Sequence, residues 1–414
     1  MKKISKQLIL ALGLSLYLTG CKEQESAIET KEVMNLDEIR QEAEIFSEEF
    51  QFENLDFSGA VFDIPEVDSV KQANFPIRKS VDELEARLIE NVKKFTGLEN
   101  IDRNNIQYNL REWGDGEYLP DVDIWVPCDK LTDEEKEKAW YISYNDGKYT
   151  ALLYMSNYML EMSDSGLIAE ITGTELDEVN ENYGRRPVSC PSVRVETYQL
   201  PEDDITGVSY TLRNGEMLLT DALSYIEKNI NEYYFLGSDV LGFEVYEISV
   251  YRLQDDTHYY EFLVKSIYDG LPLNADYCMA GVLDEDRELT YKPTAGQHQL
   301  AMFCTDRISY FWSFAHSYDT VEVTKEYTEL LSLWKAAQIL SEAVSDNKVF
   351  EITSVQLLYE TGFVSVEGDT DGRRATTIAY PVYRFSVKNP YISGYTKLHF
   401  DVDAVTGEIL YWYK

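Results

Sequence analysis

Apolar positions recur along this chain with two alternating periods. Val33, Leu36, Ile39, Ala43 and Phe46 fall at three- and four-residue steps and predict an amphipathic helix over 33–48. A stretch rich in Asp, Pro and Gly runs from Asp56 to Pro76 and reads as a loop. Ser80 then precedes Val81-Asp82-Glu83, a capping box in which hydroxyl and carboxylate each satisfy an orphan backbone amide. Leu84, Leu88, Val92 and Phe95 line one face of the helix it opens, and Gly97 is a natural stop.

The period then switches to two. Residues 138–155 read as two aromatic-rich strands around Asn145-Asp146-Gly147, a strong hairpin signal. Shorter extended stretches lie at Tyr118 to Val126 and Ser192 to Leu200. The plan restarts at Thr220, a candidate N-cap, with Leu223, Ile226, Ile230 and Tyr233 on one helical face. Strands Phe243 to Leu253 and His258 to Tyr268 follow, joined by Gln254-Asp255-Asp256-Thr257 and ended by Gly270-Leu271-Pro272-Leu273. It restarts again at Ser332, with Leu333, Ala337, Leu340 and Val344 sharing a face. Four strands come after it: Phe350 to Tyr359, Tyr380 to Lys388, Thr396 to Asp403 and Glu408 to Tyr413.

A helix laid across one face of an antiparallel sheet explains this alternation, because strand positions under the helix must be apolar. The expected fold class is α+β, in two or three helix-plus-antiparallel-sheet modules. The expected boundaries are a signal peptide over 1–20, a lipid-anchored tether with an amphipathic helix over 21–75, and modules over 76–200, 201–320 and 321–414. At roughly 100–200 residues per domain, 414 residues agree with that division.

The first residues set the location. Lys2, Lys3 and Lys6 form a positive region, and Leu8 to Leu18 form an apolar one. That run is too short to cross a hydrocarbon core, which takes about 20 helical residues, so it is a signal sequence. It ends in Leu18-Thr19-Gly20-Cys21, which resembles the lipobox of bacterial lipoproteins. The resemblance implies diacylglyceryl transfer to Cys21, cleavage between Gly20 and Cys21, and a protein held by acyl chains on the extracytoplasmic face of the cell membrane. Each buried CH₂ adds about 0.8 kcal/mol to retention, so two or three chains hold firmly.

Charge narrows the partners. The chain carries 37 Lys and Arg against 74 Asp and Glu, a net charge of −37, and losing the signal removes three of the lysines. A phosphate backbone repels such a body, which excludes nucleic acid, and an anionic bilayer repels it too, leaving the acylated Cys21 as the membrane contact. Outside the membrane, disulfides are permitted. Cys128, Cys190, Cys278 and Cys304 allow three pairings; proximity favours Cys278–Cys304 and, less so, Cys128–Cys190, with buried free thiols the alternative.

The final strands resemble the C-terminal hairpin of PepSY domains, in which an apolar strand, Asp-x-x-Thr-Gly-Glu and a second strand follow one another. Asp403, Thr406, Gly407 and Glu408 match, between Phe400 and Val402 before and Ile409 and Leu410 after. Asp403 is placed to bond turn amides, and Gly407 to supply a positive φ. The resemblance covers roughly the last 85 residues, and the whole layout also resembles uncharacterised lipoproteins of Gram-positive bacteria. It implies a small α+β module and a role in regulating peptidases or envelope sensors; no catalytic residue carries over. The segment Val366 to Thr377 departs from a compact version.

Catalytic signals are thin. His258, His298, His316 and His399 form no HExxH, and neither GxSxG, a phosphate-binding loop nor a zinc-type Cys/His grouping occurs. Asp369-Thr370-Asp371-Gly372 begins like a calcium loop but lacks its third acid and closing Glu, so a turn is expected, no metal ligand is assigned and no cofactor is expected, with a diffuse Ca²⁺ requirement of the crowded carboxylates as the alternative. With 74 acids, sequence cannot choose a catalytic carboxylate pair. The 31 tyrosines offer something else: Tyr141, Tyr144, Tyr149 and Tyr154 are candidates for an exposed platform, against ordinary cross-strand packing. The expectation is a non-catalytic binding or regulatory module for a peptide or envelope protein. Its alternatives are a carbohydrate- or solute-binding lipoprotein and a hydrolase with an unrecognised acid pair.

Overall fold

Helix ends in this protein are set by local side chains. A computed structural model describes residues 31–76, 80–111, 123–154, 160–172, 192–201, 203–230, 240–274, 279–283, 289–293, 299–303, 305–313, 321–344, 349–365, 375–388 and 398–412. Within them, α1 is Leu36–Glu49, α2 Val81–Thr96, α3 Asp133–Lys136, α4 Ser165–Thr172, α5 Leu219–Asn229 and α6 Leu333–Ala343. Capping boxes open α1 (Asn35 with Glu38) and α2 (Ser80 with Glu83), and Gly97 closes α2 at φ 74. Ser332 Oγ accepts from Lys335 N at 3.0 Å to start α6.

Helix α5 departs from expectation. Its N-cap is Leu218, with no side-chain cap, and not Thr220. The strand Gly215–Leu218 runs straight into the helix, and Leu219 N donates to Val208 O at 2.8 Å, which does the work of a cap. The buried face is accordingly Leu219, Ala222, Ile226 and Ile230, with Leu223 only partly covered.

The fold is mixed α+β. Among the described residues, eleven strands make one sheet, and α2 and α5 pack on one of its faces. It takes strands from 106–164, from 193–199 and from 241–272, joined in the middle by Gln299–Phe303 and Ile308–Ser313. Phe262, Phe311, Tyr108 and Ile248 lie in that core.

Ten strands make the second sheet, and α1 and α6 share its core. Here the expected loop from Asp56 to Pro76 is corrected. Leu55–Asp56 and Val61–Asp63 pair in parallel with the strand Phe350–Ser365, and Val70–Pro76 pairs with Ala375–Val387 and Glu322–Tyr327. The expected boundaries near 76, 200 and 320 therefore do not part the sheets. Residues before 76 belong with the C-terminal strands, and Met279–Leu283 pairs with the last strand, Ile409–Trp412.

The sheets meet where the chain passes from one to the other. Leu271–Pro272 still pairs within the first sheet, while Leu273 bridges to Tyr359 and Asn274 N donates to Tyr359 O at 2.8 Å. Phe75 lies edge-on to Tyr268 at 5.1 Å, and Lys71 pairs with Asp269 at 2.9 Å. Gly270, at φ +84, is needed twice over, because a Cβ there would stand 2.8 Å from Val67 Cγ1.

Candidate functional site

The C-terminal turn forms as its residues imply. Asp403 Oδ1 accepts from Val405 N at 2.8 Å and Thr406 N at 2.7 Å, and Thr406 Oγ1 accepts from Glu408 N at 3.2 Å. Gly407 N donates to Asp403 O at 2.9 Å with φ +78. Helix α6 lies close above, so that a Cβ on Gly407 would be 2.7 Å from Ile339 Cδ1. Asp403, Thr406, Gly407 and Glu408 thus shape a turn under a helix. Gly407→Ala is expected to cost about 1–3 kcal/mol in urea denaturation, from backbone strain joined to the clash.

The four candidate tyrosines divide by strand parity. Tyr144 and Tyr149 face the core under α2, where Phe95 meets Tyr149 edge-on at 6.3 Å. Burial first, and the hydrogen bond to Asp146 second, push the Tyr144 hydroxyl well above its ordinary range. They are not platform residues. Tyr141 and Tyr154 lie on the opposite face and remain half-buried.

That opposite face is polar and aromatic. Register places Trp125, Asn109, Tyr141 and Tyr154 in one cross-strand row. The Trp125 and Tyr141 rings are 6.5 Å apart and tilted by 30°, and Tyr141 meets Tyr154 edge-on at 4.6 Å. Asn109 sits between them at 0% exposure, and among the described residues its Nδ2 and Oδ1 have no hydrogen-bond partner. The next row carries Gln107, Ser143, Leu152 and Glu161. Glu161 is buried and accepts from Tyr310 OH at 2.7 Å. Beyond it Thr150 and Ser163 share a 2.7 Å hydroxyl contact, and Glu261 and Ser249 continue the polar surface.

A second polar group lies inside the other sheet. Arg384 donates to both oxygens of Asp401, from Nε at 2.9 Å and Nη2 at 2.7 Å, and to Asn274 Oδ1 at 2.8 Å and Glu360 Oε2 at 3.3 Å. Asn274 Nδ2 and Thr361 N donate to Glu360. Both carboxyl groups are fully enclosed. Burial, then the neighbouring Asp401 charge, raises the Glu360 carboxyl well above the glutamate range. Burial opposes charge on Asp401 too, but Arg384 outweighs it and holds Asp401 below the aspartate range. A proton kept on Glu360 would leave Arg384 and Asp401 as one buried ion pair.

Other candidates are quieter. Cys128 is a free, buried thiol donating to Arg103 O at 3.3 Å, so the Cys128–Cys190 pairing is not made. His399 is buried beside Phe400 in the strand Leu398–Asp403, and a ring nitrogen of His258 lies 3.3 Å from Thr211 O. Gly20, Cys21, Cys190, Cys278, Cys304, His298, His316 and Asp369 to Gly372 lie outside the described residues. Among the described residues no three His, Cys, Asp or Glu could hold a metal ion, and no helix is long and apolar enough to cross a membrane.

No protein-family model matches this chain, and no curated protein matches it in sequence.

Sequence reasoning missed Asn109, Trp125 and the Arg384 cluster. The strand Ile106–Arg111 did carry a signal: Ile106 and Tyr108 alternate with Gln107 and Asn109, which assigns one apolar and one polar face. Nothing in that alternation says the polar side is also enclosed.

Proposed function

We propose that this chain is an acylated extracytoplasmic binding protein, anchored through Cys21, that captures a ligand on the polar, aromatic face of its eleven-stranded sheet and does no chemistry on it. The row of half-buried rings around the enclosed carboxamide of Asn109 carries this reading. A side of a sheet built only for stability would be apolar where buried and charged where wet. A non-catalytic role is supported by the enclosure of Glu360 and Asp401, whose oxygens are committed to Arg384, Asn274 and Thr361 and shielded from any substrate. We read the last module as PepSY-like, a reading supported by the Asp403 to Glu408 turn beneath α6, and the partner as a molecule of the cell envelope.

Two measurements test this. Metabolic labelling with a fatty acid should mark the wild-type chain, and Cys21→Ala should lose both label and membrane retention; a variant still labelled would defeat the anchored reading. Incubating the full acylated chain with envelope extract should recover a specific ligand, and Tyr141→Ala together with Trp125→Ala should lose it.

A further inference from the structure

Most side chains on the polar face of the first sheet have a structural explanation in their own hydrogen bonds, and Asn109 does not. Its carboxamide is wholly enclosed, yet among the described residues neither the oxygen nor the nitrogen has a partner. An unpaired buried amide is among the costliest arrangements in a folded protein. Leucine has nearly the same shape, would fill the same space, and would carry no such cost. Folding alone therefore does not account for an asparagine at this position.

The surroundings indicate what would account for it. Trp125, Tyr141 and Tyr154 share its row, all half-buried, with Trp125 and Tyr141 flanking it on the neighbouring strands. Four strands at about 4.8 Å spacing give the row a length of about 14 Å. Flat rings of this kind attract the C–H faces of a ligand, while a carboxamide offers one donor side and one acceptor side, the same pair that a hydroxyl group presents. None of the four side chains is charged, and the whole chain is strongly anionic. An anionic polymer is repelled, and the polar side chain between the rings is a carboxamide, which suits an uncharged hydroxyl group.

We propose that Trp125, Tyr141, Tyr154 and Asn109 form a subsite for a neutral saccharide, whose rings stack on the aromatic row while a hydroxyl group pairs with Asn109. The proposal rests on the binding-protein reading above and names its ligand class. The saccharide's hydroxyl reaches Asn109 once the groups that enclose it move aside, and it then supplies the missing hydrogen bonds.

Asn109→Leu separates a binding role from a structural one. The full chain is purified in detergent and titrated calorimetrically with maltotriose, cellotriose and the trimer of N-acetylglucosamine at millimolar concentrations. Wild-type protein should bind at least one of them. Asn109→Leu should melt at a higher temperature than wild type, because the unpaired amide is gone, and should bind that sugar roughly 10-fold or more weakly. Tyr141→Ala should weaken binding too, with the fold verified by circular dichroism. The proposal is overturned if wild type binds none of the three sugars, or if Asn109→Leu binds as tightly as wild type. If no sugar binds but envelope extract still yields a peptide or protein dependent on Tyr141 and Trp125, the saccharide class fails and the binding-protein reading stands. If neither is recovered, both fall.

Discussion

Replacing Arg384 with methionine is expected to destabilise the protein by about 3–5 kcal/mol, read as an earlier midpoint in urea denaturation. The size follows from what the substitution leaves behind. Arg384 is the cation within hydrogen-bonding distance of both Asp401 and Glu360, and all three are buried. Methionine fills most of the volume but strands the Asp401 carboxylate without compensation. It also releases Asn274 Oδ1, which Arg384 holds at 2.8 Å where the chain crosses between the sheets. A triple variant, Arg384→Met with Asp401→Leu and Glu360→Leu, should recover part of the loss, since it removes the stranded charges while Asn274 and Thr361 N stay without their partners. By contrast, Lys388→Met at the exposed pair with Glu351 (2.7 Å) should change stability by under about 1 kcal/mol. If Arg384→Met cost no more than Lys388→Met, the enclosure of the cluster would be wrong.

The cluster also shows which parts of this fold were legible in the sequence. The Ser80–Glu83 capping box, the Asn145 to Gly147 hairpin and the Asp403 to Glu408 turn are closed by residues within a few positions of one another, and each forms where its residues indicate. Pairing between distant segments leaves no such local mark. Val61–Asp63 looks like loop because its parallel partner, Ser354 to Gln356, lies 293 residues further along the chain. Arg384, Glu360 and Asp401 sit on three separate strands, and each alone reads as one more surface charge. Alternation marks one apolar and one polar face of the first sheet, but it says nothing of what covers the outward positions. Asn109, Ser143, Glu161 and Glu261 are outward and buried at once, and that depends on what covers the second face.

A Glu360 carboxyl raised in the native state makes stability depend on pH in a direction opposite to the usual carboxylate. Its native carboxyl is raised by burial and by the neighbouring Asp401 charge. Below the ordinary glutamate range, native and unfolded chains both carry the proton, and the contribution of Glu360 to stability is complete. As pH rises above that range, the unfolded chain releases the proton while the native chain keeps it. Stability then falls by about 1.4 kcal/mol per pH unit until the native carboxyl itself ionises. Asp401 behaves in the opposite way: its native carboxyl is depressed by Arg384 against the effect of burial, so its contribution is present above the ordinary aspartate range and is lost on acidification. Glu360→Gln keeps a neutral group that can still accept from Arg384, and it has no proton to lose. The variant should therefore match wild type at pH about 4 and melt progressively higher than wild type as pH is raised toward about 8, a difference readable by differential scanning calorimetry. Melting curves that stayed parallel across that range would mean that Glu360 is ionised in the native protein. Arg384 would then face two buried carboxylates, and the cluster would carry a net negative charge.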